Sequence, residues 1–140
     1  MKTKVTLAVA VLMLSFIFSS CEKAEQFLQK AVIKQIITND RWVVEIFTVS
    51  GVDVTSDYAP YEFEFNANGT VTAYKATDAI TGDWKEDITT MSIETHFNST
   101  EVPLQLFNTI WYIGKTAPTY VEARSVTATA VLTMKLVKKQ

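Results

Sequence analysis

Tyr61-Glu62-Phe63-Glu64-Phe65-Asn66-Ala67-Asn68-Gly69-Thr70-Val71 is the stretch that decides the fold. Tyr61, Phe63 and Phe65 alternate with Glu62, Glu64 and Asn66. A period of two places the aromatics on one face of a strand and the polar residues on the other, so one face is buried and the other meets water. Asn68-Gly69 is a strong hairpin signal, because both central positions of the favoured two-residue turn need positive φ. Thr70 to Ala76 is therefore predicted to return antiparallel. Three aromatics on one face then need an opposite wall to cover them.

The flanking sequence supplies that wall. Upstream, Arg41 to Val49 is rich in β-branched and aromatic residues, and Pro60 to Ala67 holds the alternating run itself. Downstream, Gly82 to Asp87 pairs with Thr89 to Phe97, where Met91, Ile93, Thr95 and Phe97 share a face. Thr109 to Lys115, Tyr120 to Val126 and Ala130 to Lys138 follow, the last with Leu132, Met134 and Leu136 in alternation. Glu101 to Asn108 contains Pro103 and reads as a short helical turn at a rim. Eight short strands without a βαβ rhythm predict an all-β fold: an eight-stranded antiparallel up-and-down meander, closed as a barrel or flattened as a sandwich. Closure removes the exposed edges that invite aggregation. A barrel built from about 100 residues is shallow and mostly filled by side chains, with room for at most one small ligand.

Before the strands, Glu22 to Thr38 reads as an N-terminal helix, with Ala24, Phe27, Leu28, Ala31, Val32 and Ile36 near one side. Glu22 and Glu25 in its first turn and Lys30 and Lys34 further along suit the helix dipole. Asn39-Asp40 ends it. Before that, Met1-Lys2-Thr3-Lys4 is basic, Val5 to Phe18 is almost wholly apolar, and Ser19-Ser20-Cys21 follows. Basic, apolar and small residues in that order form a secretory signal peptide, and the apolar run is short for a membrane span. The chain thus divides into a signal peptide over 1–20, a cysteine and helical tether over 21–38, and a β domain over 39–140.

Composition limits what the domain does. Its 140 residues carry 13 basic and 15 acidic side chains, and loss of Lys2 and Lys4 with the leader makes the remainder more acidic. That balance argues against nucleic acid as a partner and against docking on an anionic membrane through charge alone. The single cysteine, Cys21, has no disulfide partner within the chain.

Phe18-Ser19-Ser20-Cys21 resembles a lipobox, the sequence after which the bacterial lipoprotein signal peptidase cuts, with Phe18 in place of the usual leucine. The resemblance implies a diacylglycerol thioether on the Cys21 thiol and a further acyl chain on its freed amine. Two or more chains make membrane attachment stable. The expected location is the cell envelope, anchored by lipid to the outer membrane, with the periplasmic and the outward face both open.

Signatures of catalysis are missing from the sequence. His96 is the one histidine, and it lies on the strand face opposite Ile93 and Phe97. There is no HExxH pair, cysteine cluster or EF-hand spacing, so no metal site is expected. Asp53 and Asp57 flank Thr55-Ser56, a pattern that serves a turn or a hard cation. The four glycines form neither a dinucleotide fingerprint nor a phosphate loop, and no nucleophile has a partner. A non-enzyme without cofactors is the expectation. Trp42, Tyr61, Phe63, Phe65, Trp84 and Trp111 either line an apolar cavity or form the core. Two functions stay open on that choice: binding a small hydrophobic ligand, or contacting an envelope protein without any ligand.

The ordered series Trp42, Asp53, Thr55, the Tyr61 to Val71 hairpin, Thr81-Gly82-Asp83-Trp84, and Leu106 to Trp111 resembles the lipocalin-like domain of small bacterial lipoproteins over Asn39 to Lys138. That resemblance implies an eight-stranded barrel with capacity for an apolar molecule. True lipocalins carry a glycine two residues before this tryptophan, where Asp40 stands here, and an arginine that caps it, for which Arg124 is the candidate in the late strands.

Overall fold

The computed structural model describes residues 32–38 and 40–140. The predicted signal peptide, Cys21 and most of the predicted helix Glu22 to Thr38 lie outside these residues. Residues 33–140 form one compact unit.

The strands are β1 (Arg41–Val49), β2 (Val52–Asp53), β3 (Tyr61–Phe65), β4 (Thr70–Lys75), β5 (Asp78–Asp87), β6 (Ser92–Phe97), β7 (Ile110–Ala117), β8 (Tyr120–Val126) and β9 (Val131–Lys138). A 3-10 helix, η1 (Thr55–Tyr58), and a short helix, α1 (Val102–Phe107), sit between strands. β1 pairs antiparallel with β3, each strand from β3 onward pairs antiparallel with the next, and β1 also pairs with β9. The eight long strands therefore close on themselves. The two-residue β2 is an addition that pairs only with the end of β1.

Alternation decides which residues point inward. On β3, Tyr61, Phe63 and Phe65 are buried, and on β9 Leu132, Met134 and Leu136 are. The hairpin turn after β3 differs in detail from the two-residue turn predicted. Asn66 N–H donates to Thr70 O and Gly69 N–H to Asn66 O, and at this turn Gly69 alone has a positive φ, of 88°. The two-residue turn with both φ positive occurs instead at Ser50 and Gly51, between β1 and β2.

In β1 a register shift between Val44 and Ile46 interrupts the alternation. Such a bulge inserts one residue and re-aims those after it. Trp42 is inward before it, and Phe47 rather than Ile46 is inward after it.

The eight-stranded wall is not evenly stitched. Within β3–β4–β5–β6, and within β7–β8–β9–β1, neighbouring strands pair over five to seven residues. Between these halves the ladders are short. Only Arg41 and Trp42 of β1 face β3, and only Ser92, Ile93 and Glu94 of β6 face β7. The barrel is thus two four-stranded halves joined along two seams on opposite sides. Both seams splay toward the same end, where β1 and β6 finish. The connection across each seam contains a short helix: η1 between β1 and β3, α1 between β6 and β7.

At the other end, residues 32–37 are helical and bury Ile33 and Ile37, one turn apart, while Val32 is exposed. The predicted apolar stripe placed Val32 and Ile36 inward, so within this segment the buried side is rotated by one residue. The Trp42 indole N–H donates to the Ile37 carbonyl at 2.9 Å. Helix backbone thus covers this tryptophan. Arg124 does not, because it lies exposed on the outer wall.

Candidate functional site

All six aromatics singled out in the sequence point into the barrel. Trp42, Tyr61, Phe63, Phe65, Trp84 and Trp111 are each at most 4% exposed. They do not surround an empty space. Phe107, from α1, occupies the middle and touches five other rings, lying flat on Phe63 with ring centres 4.5 Å apart. Tyr58, from η1, stacks on Phe47 at 4.3 Å. The void that remains, lined by Ile37, Phe65, Thr95, Trp111 and Met134 among others, measures about 10 Å³. That is at the lower limit for one water molecule.

The two segments that fill the mouth are tied to the walls and to each other. Phe107 O accepts three hydrogen bonds, from the Thr95 hydroxyl, the Trp111 indole N–H and Thr109 N–H. Asn108 continues the splayed ladder with its side chain. Its Oδ1 accepts from Phe97 N–H at 2.6 Å and its Nδ2 donates to Phe97 O at 2.8 Å. The Tyr58 hydroxyl donates to Pro103 O at 3.0 Å, which joins η1 to α1. Burial, aided by the Asp57 charge, pushes the Tyr58 phenol far above its ordinary pKa, so this donor keeps its proton. At the rim, Glu101 accepts from the Tyr61 hydroxyl and pairs with Lys75.

Asp53 serves the turn. Its Oδ1 accepts from Thr55 N–H at 2.8 Å, and hydrogen bonds from Thr55 hold its carboxyl below the usual carboxylate range. Thr55 Oγ1 in turn accepts from Phe47 N–H, an amide left without a β3 partner by the seam. His96 is exposed beside Asp83, 3.7 Å away.

Sequence reasoning missed Phe47, Tyr58, Leu104 and Phe107, all fully buried. For α1 a signal existed: Leu104 and Phe107 are three residues apart and share one helical side. For Phe47 there was none, since a bulge has no mark in a hydrophobicity pattern.

Outside, the walls differ. A groove of about 400 Å³ crosses the outer face of β7–β8–β9–β1, lined by Ile46, Gly114, Glu122, Arg124, Thr133 and Lys135 together with the backbone near Ala123 and Met134. It lies between two irregularities, the β1 bulge and a register shift in β7 between Ile113 and Lys115.

No family model and no curated protein matches the chain. Among solved structures, the chain is similar to a DUF4847 family protein from Bacteroides vulgatus. The TM-score is 0.55 at 13% identity, over 77% of this chain and 99% of that one. At that identity the likeness carries the fold, a small antiparallel β-barrel, and nothing finer.

Proposed function

We propose that this protein is a lipid-anchored, non-catalytic module of the bacterial cell envelope that works through its outer surface, with its barrel interior serving stability. The anchor reading rests on the leader and Cys21, and the expected site is the outer membrane. The observation that carries the surface reading is the filled interior: Phe107 and Tyr58 stand where a guest would sit, and the residual void is about 10 Å³. Cavities that hold small molecules usually run to several hundred Å³. A second reading, carriage of a small apolar molecule, draws support from the mouth. Short helical segments cover it in place of paired strands, and their displacement would open a route to the aromatic interior.

Native mass spectrometry on the full chain, extracted from membranes in mild detergent, tests both halves of the proposal. The expected mass is the chain from Cys21 plus acyl groups and nothing else, with the acyl mass lost in Cys21→Ser. A further stoichiometric mass that persists in Cys21→Ser would establish carriage and overturn the surface reading. Cleavage elsewhere, or an unmodified Cys21, would remove the anchor.

A further inference from the structure

Arg124 stands apart from every other cation in the described structure. The other Lys and Arg residues described each lie within 3.7 Å of a carboxylate. The Arg124 guanidinium has neither an ion pair nor a hydrogen bond among the described residues, though it projects from the middle of a sheet wall. A guanidinium presents five donors in a rigid fork that matches a carboxylate. Nearby carboxylates are engaged elsewhere, Glu122 with Lys115 and Glu45 with Lys135.

Its surroundings combine ion pairs already made, at Glu122 and Lys135, with exposed apolar side chains. Across the sheet Arg124 faces Tyr112 on β7 and Thr133 on β9. The Thr133 hydroxyl is bonded to that of Thr48 at 2.6 Å and so offers little further polarity. Ile46 shares the groove with Arg124. Tyr112, Ile46 and Val126 are 48%, 45% and 62% exposed, and Ile110 is also exposed on β7. Four of the seven large hydrophobics exposed among the described residues therefore lie on the outer face of this half-barrel. Tyr and Arg are the residues that most often dominate protein interfaces, where they sit centrally among apolar neighbours.

We propose that the outer face around Arg124, with Ile46 in its groove and Tyr112 opposite it on β7, docks a protein segment that presents one acidic side chain flanked by apolar ones. One unmatched positive charge calls for one carboxylate, and the neutralised pairs around it add no further net charge for a longer acidic run. The inference rests on the reading that the outer surface is the working part of the molecule, and it names the partner's chemistry.

The test is selection of a displayed random-peptide library on the immobilised full chain. Peptides bearing a single Asp or Glu between apolar residues should be enriched. Their affinity should fall at least tenfold in Arg124→Glu and in Tyr112→Ala, and stay unchanged in Asp78→Lys at the exposed start of β5 on the opposite half. Replacing the peptide carboxylate by an amide should weaken binding to the parent protein but not to Arg124→Glu. No enrichment, or equal binding by Arg124→Glu, overturns the proposal. So does binding of the Cys21→Ser chain to phosphatidylglycerol vesicles that depends on Arg124, since the occupant would then be a membrane. Cargo in the mass spectrum with Arg124-dependent peptides would spare the groove and sink the surface-only reading. A clean mass without such peptides would sink the groove alone.

Discussion

The two half-barrels are alike inside and different outside. Both turn aromatic and aliphatic side chains inward, and these meet in one core: Phe63, Phe65 and Phe97 from one half, Trp42, Phe47 and Trp111 from the other. On the outside, residues 61–97 carry two basic and seven acidic side chains, whereas β1 with residues 110–138 carries five basic and two acidic. Four of the exposed large hydrophobics among the described residues and the arginine without an ion pair lie on strands β1, β7 and β8, and Ile46 and Arg124 share one groove. Inward positions answer to packing, which any barrel of this size demands. Outward positions answer only to solubility and to partners, so asymmetry there points to use.

The largest expected effect comes from the ring that clamps the halves together. Phe107 touches Phe63 and Phe97 on one side and Phe47 and Trp111 on the other. Phe107→Ala should lower the unfolding free energy by about 3–5 kcal/mol, as truncation of a buried aromatic does. Urea denaturation measures this. A loss below about 1 kcal/mol would mean that the halves hold together without the ring, and that the mouth is loosely packed.

A smaller effect is expected at the β6–β7 seam. Asn108→Leu removes both side-chain bonds to Phe97 and should cost about 2 kcal/mol, roughly 1 for each hydrogen bond. Hydrogen exchange gives the sharper view: the Phe97 amide should lose protection while β8 and β9 amides keep theirs. Uniform loss across all strands would show that the seam is no weaker than the ladders beside it.

Much of this was open to sequence reasoning because alternation is physical. The strand bearing Tyr61, Phe63 and Phe65 has a polar outer face, and no other element type puts three aromatics on one side at that spacing. The barrel's boundaries and its antiparallel order follow from repeating that pattern between turns. What stayed hidden is what breaks the pattern. The bulge at Glu45 swaps Ile46 for Phe47, and a single strand shows no reason for it. The Thr55-Ser56 stretch reads as a turn or cation loop and Glu101 to Asn108 as a helical turn at the rim, because both lack strand periodicity, yet Tyr58 and Phe107 from these segments supply the centre of the core. Whether the aromatics line a cavity or fill it depended on those two segments. Arg124 was legible only as a residue of undecided role, since whether a guanidinium is paired depends on neighbours from three strands.

The two seams should also part company with pH, and this is the smallest effect. Carboxylates help tie the β1–β3 seam. Glu62 on β3 pairs with Lys139 beyond β9 and with Arg41 on β1, and Asp53 fixes the turn that brings Thr55 to Phe47. The Lys139 hydrogen bond, then that from Arg41, holds Glu62 below its ordinary pKa, and Asp53 is lowered by Thr55. A carboxylate lowered on folding stabilises the native state above its unfolded pKa, near 4, and that contribution fades as pH falls toward the folded value. The β6–β7 seam is held by an amide, an indole and a threonine hydroxyl, none of which titrates there. Between about pH 5 and 3 the urea midpoint should therefore slide, less steeply in Glu62→Gln and in high salt, where exposed ion pairs are screened. Exchange at the start of β3 should rise over the same interval, corrected for its intrinsic pH dependence, while the Phe97 amide stays protected. If Glu62→Gln follows the parent curve throughout, the β1–β3 seam is held by its backbone and the electrostatic contrast between the seams disappears.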